Sequence, residues 1–404
     1  MPVRYFIPVT TSDATVRDGR RLGAPLVGIA LVGIVIAIVR ITGPFSYGYD
    51  YDVYRVAGSA VIHHESLFGP WMGQHMAHPL PFTYPPLAAV VAVPFALVGD
   101  VLGFALWNIA SIVALGFVVQ AVTKPLVRRF PNGRYTLVLA IVVALALTPV
   151  QDEIGFGQVG IMLMTMCFFD CALEKTPWPR GTLIGAATAI KLLPGIFIPY
   201  LWLTGRRRAA YVSVATFAAL SVCAGLVTPS DSASFWTSRL FDNSRVGSNA
   251  YVSNQSLNGM LRRALGSGAL VQTIWLVLAA AVVFYGLRRA ALAGRRGDEL
   301  LGIALAALVG ILVSPVSWIH HLVWVVPVLA LLIGDATDRR RVSLAVTLAA
   351  LFTLRLPYLG DNIPDGWHLS WVAAVLRDSY GLACVFLLFT LGALAVRRPV
   401  AELA

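Results

Sequence analysis

The sequence is short of charge. Only 13% of its 404 residues are Asp, Glu, Lys or Arg, while 58% are hydrophobic; a soluble domain carries roughly 25% charged residues. Such a chain lies mostly in lipid or protein interior, as a polytopic membrane protein does, and not as one large soluble core. Cysteine is scarce as well. Cys167, Cys171, Cys223 and Cys384 all sit in apolar stretches, and no disulfide framework is visible. Cys167 and Cys171 share a helix face but lack the His or acidic companions of a metal set, so all four read as small buried hydrophobes. No internal repeat is evident, and there is no room for a separate soluble domain. The alternating segments of ~10 residues that build a membrane barrel are missing too. The apolar stretches are long and continuous, which makes the fold class all-α.

The charge that is present has a pattern. Lys and Arg number 31 against 20 Asp and Glu, a net charge of +11. A nucleic-acid binder is also basic, but here the positive residues cluster in short segments between apolar runs, as helical membrane proteins require, and attraction to anionic lipid accounts for them. The clusters are Arg17–Arg21, Lys124–Arg134, Arg206–Arg208, Arg288–Arg296, Arg339–Arg341 and Arg397–Arg398. Placing all of them in the cytoplasm leaves 43–84, about 150–158, 229–268, 314–319 and 359–370 on the other face, where Gly, Pro, Asn, Asp, His and Trp collect. The expected architecture is one membrane-embedded domain over 1–404 with about 10–13 transmembrane or re-entrant helices. Residues 43–84 form its first outer loop and 229–268 its second large one. At the N-terminus RDGRR (17–21) precedes an apolar run over 22–39, too long for a signal-peptide core and without a small-residue cleavage site; it is expected to be a retained signal anchor with a cytoplasmic N-terminus.

Two stretches strain this topology. Residues 85–122 hold two apolar runs split at Gly99-Asp100, where one crossing is allowed. Residues 181–205 begin and end near cytoplasmic markers, and KLLPG (191–195) breaks them midway. Pro and Gly free backbone groups that lipid cannot satisfy, so the break must be covered by protein or line a cavity. A re-entrant pair of short helices meets that demand, with Lys191 past mid-membrane after a first half rising roughly 16 Å.

Several polar sets stand out on the outer face. In SYGYDYDVYR (46–55), Asp50 and Tyr54 lie one helical turn apart, while Asp52 points elsewhere. Asp50 is either an N-cap or a general base at the membrane surface. Tyr84 opens a helix in LPFTYPPLAAV, where Pro and Tyr also suit an interfacial helix start. Gln158, in QDEIGFGQVG, sits at the start of the next helix and suits a sugar hydroxyl; a solvated turn is the alternative. Asn254, Gln255 and Asn258, in NQSLNGMLRR, suit a polyhydroxyl ligand or a capped polar helix start. Lys191 is isolated in apolar surroundings at a cost of about 2.5–3.5 kcal/mol, which a phosphate partner offsets. His320 and His321 project about 100° apart on a helix and so do not chelate one metal together. They form either a Trp-His interfacial belt or imidazoles aimed at a phosphate.

Taken in order, D-x-x-V-Y, PFTYPPLAA, GQ at a helix start, A-x-K-L-x-P, NQSLNG and SW-x-HH resemble glycosyltransferase family 87, of the GT-C superfamily. The resemblance spans roughly 45–325. DYDVYR and LPFTYPPLAA look most like members that extend phosphatidylinositol mannosides with α-1,2-linked mannose from polyprenyl-phosphate-mannose. The resemblance implies a GT-C fold, a lipid-linked sugar donor, a glycolipid acceptor and a plasma-membrane site on the extracytoplasmic face, with no nucleic acid and no obligate protein partner. It makes Asp50 the catalytic base and His320 and His321 catalytic partners. Lys191 joins the two histidines on the donor phosphate, and Asp52, Tyr54, Tyr84, Gln158, Asn254, Gln255 and Asn258 line the sugar and acceptor. No metal or other cofactor is expected: D-Y-D at 50–52 spells a metal motif, but the donor is no nucleotide diphosphate. A family-87 arabinofuranosyl- or branching mannosyltransferase is the alternative enzyme. A lipid-linked-sugar transporter shares the broken helices and buried lysine, but not the acids and imidazoles gathered on one face.

Overall fold

Helix length decides what each apolar stretch does. A computed structural model describes residues 48–364 and 370–394. The apolar run over 22–39, read as a signal anchor, lies outside these residues, as does Arg397–Arg398. Among the described residues every regular element is a helix, and the one paired β contact is an isolated bridge between Asn254 and Trp318. Asp100–Val122, Arg207–Val227 and Ala269–Arg295 hold 23, 21 and 27 residues and are long and apolar enough to cross a bilayer; even the shortest rises roughly 30 Å. Two further spans are bent. Gly133–Ala146 turns by 71° into Thr148–Phe156, and Ser370–Arg377 by 62° into Ser379–Ala393. Leu87–Ala96, Gly160–Ala172, Leu193–Leu203, Glu299–Val313 and Ile319–Ile333 are apolar but shorter than a span. The chain is an all-α polytopic membrane protein in which full spans, bent spans and short helices share the work.

The spanning helices have two chemically different ends. Arg206 pairs with Glu299 at 2.9 Å, and Arg295 donates to the Leu203 carbonyl at 2.8 Å. Arg129 lies within electrostatic reach of Asp335, beside Arg339–Arg341. The opposite end starts the Asp100–Val122 helix, where Asp100 meets Arg55 at 3.0 Å. There Asp231, just past Arg207–Val227, accepts from Ser66 Oγ at 2.8 Å and the Leu67 amide at 3.1 Å, joining residues of the two large loops. The awkward 85–122 stretch resolves simply. Leu87–Ala96 is a short helix packed on the helix Tyr49–His63, so closely that a Cβ at Gly58 would stand 2.7 Å from the Ala92 carbonyl oxygen. Only Asp100–Val122 then crosses.

Residues 181–205 form a hairpin. Arg180 before it and Arg206 after it both donate to the Cys171 carbonyl, at 2.9 and 3.3 Å, so both ends lie on one side. Asp170 fixes the entry by accepting from the amides of Gly181 and Ile184, each at 3.0 Å. The helix Thr182–Ile190 then runs along Arg207–Val227, with Gly181 against Ala209 and Ala189 in the cluster with Ala224. Lys191 is extended, a 3-10 turn over Leu193–Ile196 reverses the chain, and Phe197–Leu203 returns. The turn leaves Lys191 at the tip, far from the arginine end.

Candidate active site

Asp50 sits in the first turn of Tyr49–His63. The residue before the helix is Gly48, in the left-handed region at φ 53°, with no side-chain cap bond, so Asp50 is not an N-cap. Its carboxylate near the helix N-terminus is favoured by the helix dipole, and its side chain is free for other work. Asp52 is not free. Its Oδ1 accepts from Arg55 Nη2 at 2.7 Å and Nε at 3.2 Å, and its Oδ2 accepts from the Ala77 amide at 3.2 Å. The D-Y-D pair therefore splits: Asp52 pins the 75–78 loop, and Asp50 faces the polar cluster. Asp52 keeps a partly exposed carboxylate while it ties the helix to that loop.

Gln158 is the hub. Its Oε1 accepts from Tyr54 Oη at 3.1 Å and from Lys191 Nζ at 3.2 Å. Its Nε2 donates to Tyr84 Oη at 2.9 Å, and its carbonyl accepts from Trp107 Nε1 at 3.1 Å. The chain reaches this position by a sharp stop at Gly157, φ 69°. A Cβ there would stand 2.5 Å from Tyr51 Cβ, so only glycine fits. Tyr54 stacks on Trp107 with ring centres 5.5 Å apart and lies 4.8 Å from the Tyr84 ring; Lys191 Nζ lies 5.3 Å from the Tyr84 centroid. Asp50 faces this set from a helix outside the membrane spans. Burial pushes its carboxyl up to about 6, against the pull of a hydrogen bond from Gln158 and the charge of Lys191.

The histidine pair completes the surroundings. His320 and His321 are buried in a 3-10 turn over Ile319–Trp324, their rings 4.6 Å apart. Both feel the Lys191 charge. His320 Nε2 and both ring nitrogens of His321 have no hydrogen-bond partner among the described residues. His321 and Lys191 line one small cavity, about 30 Å³, with Gly160, Pro194 and Trp324, which has room for water and not for a sugar. Tyr49, Phe156 and His320 follow one another at ring separations of 6.4 and 6.0 Å, linking the Asp50 helix to the imidazoles.

The structure thus brings together Asp50, Tyr54, Tyr84, Gln158, Lys191, His320 and His321. The amide set lies in the neighbouring outer loop and bonds mostly to backbone. Asn254 Nδ2 donates to the carbonyls of Asn249 and Pro315, and its Oδ1 accepts from the amides of Ser256 and Ser317. Gln255 bonds Val252, Arg377 and Gly381, and Asn258 bonds Pro315 and Arg262. Their polar groups are engaged in clamping 249–258 onto 314–317, which holds the turn carrying the histidines.

The 151–158 segment is also not a solvated turn. Asp152 pairs with Arg355 at 3.1 Å and accepts from Tyr358 Oη at 3.0 Å. Glu153, which sequence reasoning missed as a site residue, is buried; its Oε1 accepts from the Ile161 amide at 2.9 Å, and its charge acts on Lys191. The available signal was an acid within a short segment bounded on both sides by apolar runs. A base beside a cluster containing a lysine and two imidazoles can deprotonate a hydroxyl on one side and stabilise a departing anion on the other.

Fold and site define a membrane-embedded helical protein with a polar cluster of acid, lysine and imidazole side chains near one end of its spans. The chain belongs to glycosyltransferase family 87, whose model matches residues 82–315. It is similar to the polyprenol-phosphate-mannose-dependent alpha-(1-2)-phosphatidylinositol mannoside mannosyltransferases of Mycobacterium tuberculosis (strain H37Rv; 32% identical, covering 92% of this chain and 90% of the relative) and Mycolicibacterium smegmatis (34% identical, covering 89% and 86%). A phosphatidylinositol pentamannoside mannosyltransferase of Mycobacterium tuberculosis (strain CDC 1551) is 29% identical over 93% of this chain and 92% of its own length. No solved structure matches the chain.

Proposed function

We propose that this protein transfers mannose from polyprenyl-phosphate-mannose to a phosphatidylinositol mannoside, forming an α-1,2 linkage with inversion at the anomeric carbon. The observation that carries the reading is the convergence of Lys191 and Asp50 on Gln158, which sets a base and a cation at one point. The names and coverage of the relatives support the same donor and acceptor. Asp50 takes the proton of the acceptor hydroxyl as its oxygen attacks the anomeric carbon, and the bond to the phosphate oxygen breaks on the opposite face. Lys191, with His320 and His321, stabilises the negative charge gathering on the lipid phosphate. A leaving group of this kind needs no metal, and the proposal assigns none. Tyr54 and Tyr84 hold Gln158 in register beside the reacting groups.

The protein acts in the plasma membrane with this centre on the extracytoplasmic face, since the positive clusters gather at the other end. Both lipids then keep their tails in the bilayer and bring their sugars to its surface. The test is the product formed when purified protein receives polyprenyl-phosphate-mannose and a phosphatidylinositol tetramannoside. An acceptor heavier by one hexose with a new α-1,2 linkage supports the proposal. A product with another sugar or linkage, or no product, contradicts it.

A further inference from the structure

Two arginines outside the reaction centre share one aromatic ring. The guanidinium carbons of Arg239 and Arg245 lie 5.5 and 4.9 Å from the centroid of Phe68. Both side chains are half-buried, where like charges repel more strongly than in water. No carboxylate of the described residues makes an ion pair with either. Asp242 is near enough to offset part of the charge, while burial and the Arg239 charge both weigh against the charged form of Arg245. Arg245 donates to the Phe82 carbonyl at 2.5 Å and the Arg239 carbonyl at 3.4 Å, and Arg239 Nε to Ser234 Oγ at 3.4 Å. The two Nη groups of Arg239 have no acceptor among the described residues, so the pair offers donors and charge to an anion.

The pair is joined to the reaction centre. Phe68 lies 6.1 Å from Phe82, and Phe82 meets Tyr84 edge-on at 5.7 Å; Tyr84 accepts from Gln158. The bonds from Ser66 and Leu67 to Asp231 hold this part of the first loop against the start of the second. A double guanidinium matches the oxygens of a phosphodiester better than a lysine does.

We propose that Arg239 and Arg245 hold the phosphodiester of the acceptor glycolipid while its mannose chain reaches Asp50. This rests on the acceptor named above and adds the subsite that recognises its anionic part. An acceptor whose phosphate and reacting hydroxyl are separated by several sugar units suits two sites set apart in this way. The same chemistry is offered by the phosphodiester of a bulk anionic phospholipid, so the test must separate the sources.

The experiment compares kcat/KM for a phosphatidylinositol mannoside with that for an alkyl glycoside bearing the same mannose chain and no phosphate, both in uncharged detergent. Wild type is expected to favour the phosphate-bearing acceptor by about tenfold or more. That preference should shrink toward unity in Arg239→Gln and further in the double variant with Arg245→Gln, through KM and not kcat, with Arg239→Lys restoring part of it. Loss of both acceptors in parallel would mark the arginines as structural and overturn the proposal. So would equal stimulation of both acceptors by added phosphatidylglycerol that is lost in Arg239→Gln, since the pair then holds bulk lipid. Wild type that mannosylates neither acceptor defeats the activity itself, whereas equal use of both defeats the arginine assignment alone.

Discussion

Tyr54 and Lys191 donate to the same oxygen: Gln158 Oε1 accepts from the phenol at 3.1 Å and from the ammonium at 3.2 Å. These residues are 137 positions apart in sequence, on the helix Tyr49–His63 and at the tip of a re-entrant hairpin. Gln158 is therefore the joint between the base side and the phosphate side of the cluster.

The pH profile should report the base. Burial holds Asp50 at about 6, and a base must be unprotonated to act, so kcat/KM is expected to fall as pH drops below about 6 and to level off above it. Gln158→Leu removes a hydrogen bond that favours the carboxylate, so the acidic limb should move to higher pH. A limb unmoved in Gln158→Leu would place the titrating group elsewhere.

The same raised pKa has a consequence for stability. A carboxyl whose folded pKa lies above its unfolded value favours folding when protonated, and that benefit is lost as pH rises from the ordinary value of 3.8 through about 6. Asp50→Asn removes the charge that burial disfavours. At pH 7 it should unfold at a temperature no lower than wild type, measured by thermal scanning in detergent, even though its turnover should be far lower. A lower melting temperature would show that the carboxylate is instead held by favourable contacts.

Lys191→Met should weaken binding of polyprenyl-phosphate-mannose more than binding of the acceptor lipid, each measured separately on purified protein. Asp170 is committed to the Gly181 and Ile184 amides, so it is not the partner of Lys191. His320→Ala and His321→Ala should lower kcat, because the leaving phosphate gains charge in the transition state. Unchanged donor affinity in Lys191→Met would make the lysine structural.

Single cysteines labelled by an impermeant reagent test the orientation. Position 65, exposed beside Ser66, should label from outside intact cells, and position 207, exposed as well, should not. Labelling at 207 from outside would invert the topology.

Much of this was legible because membrane chemistry leaves few options. A proline-glycine break beside a lone lysine, with basic residues at both ends, admits a covered hairpin and little else, and Lys191 lies at the tip of one. Burial by distant partners was not legible. Asp52 reaches the distant Ala77 amide, and Asn254 the 314–317 backbone. A local pattern cannot tell an amide that clamps a loop from one that meets a sugar. Glu153 was hidden for the same reason, since only folding sets it behind Ile161 and near Lys191.

The most direct measurement sets Asp50→Asn beside Asp52→Asn, scoring turnover to the α-1,2-mannosylated product and donor binding in each. Asp50→Asn should bind donor as wild type does and turn over about 10²–10⁴-fold more slowly. Asp52→Asn, losing a partly exposed ion pair worth about 1 kcal/mol or less, should keep most of its turnover. An active Asp50→Asn beside an inactive Asp52→Asn would contradict the account and move the base two residues along the helix.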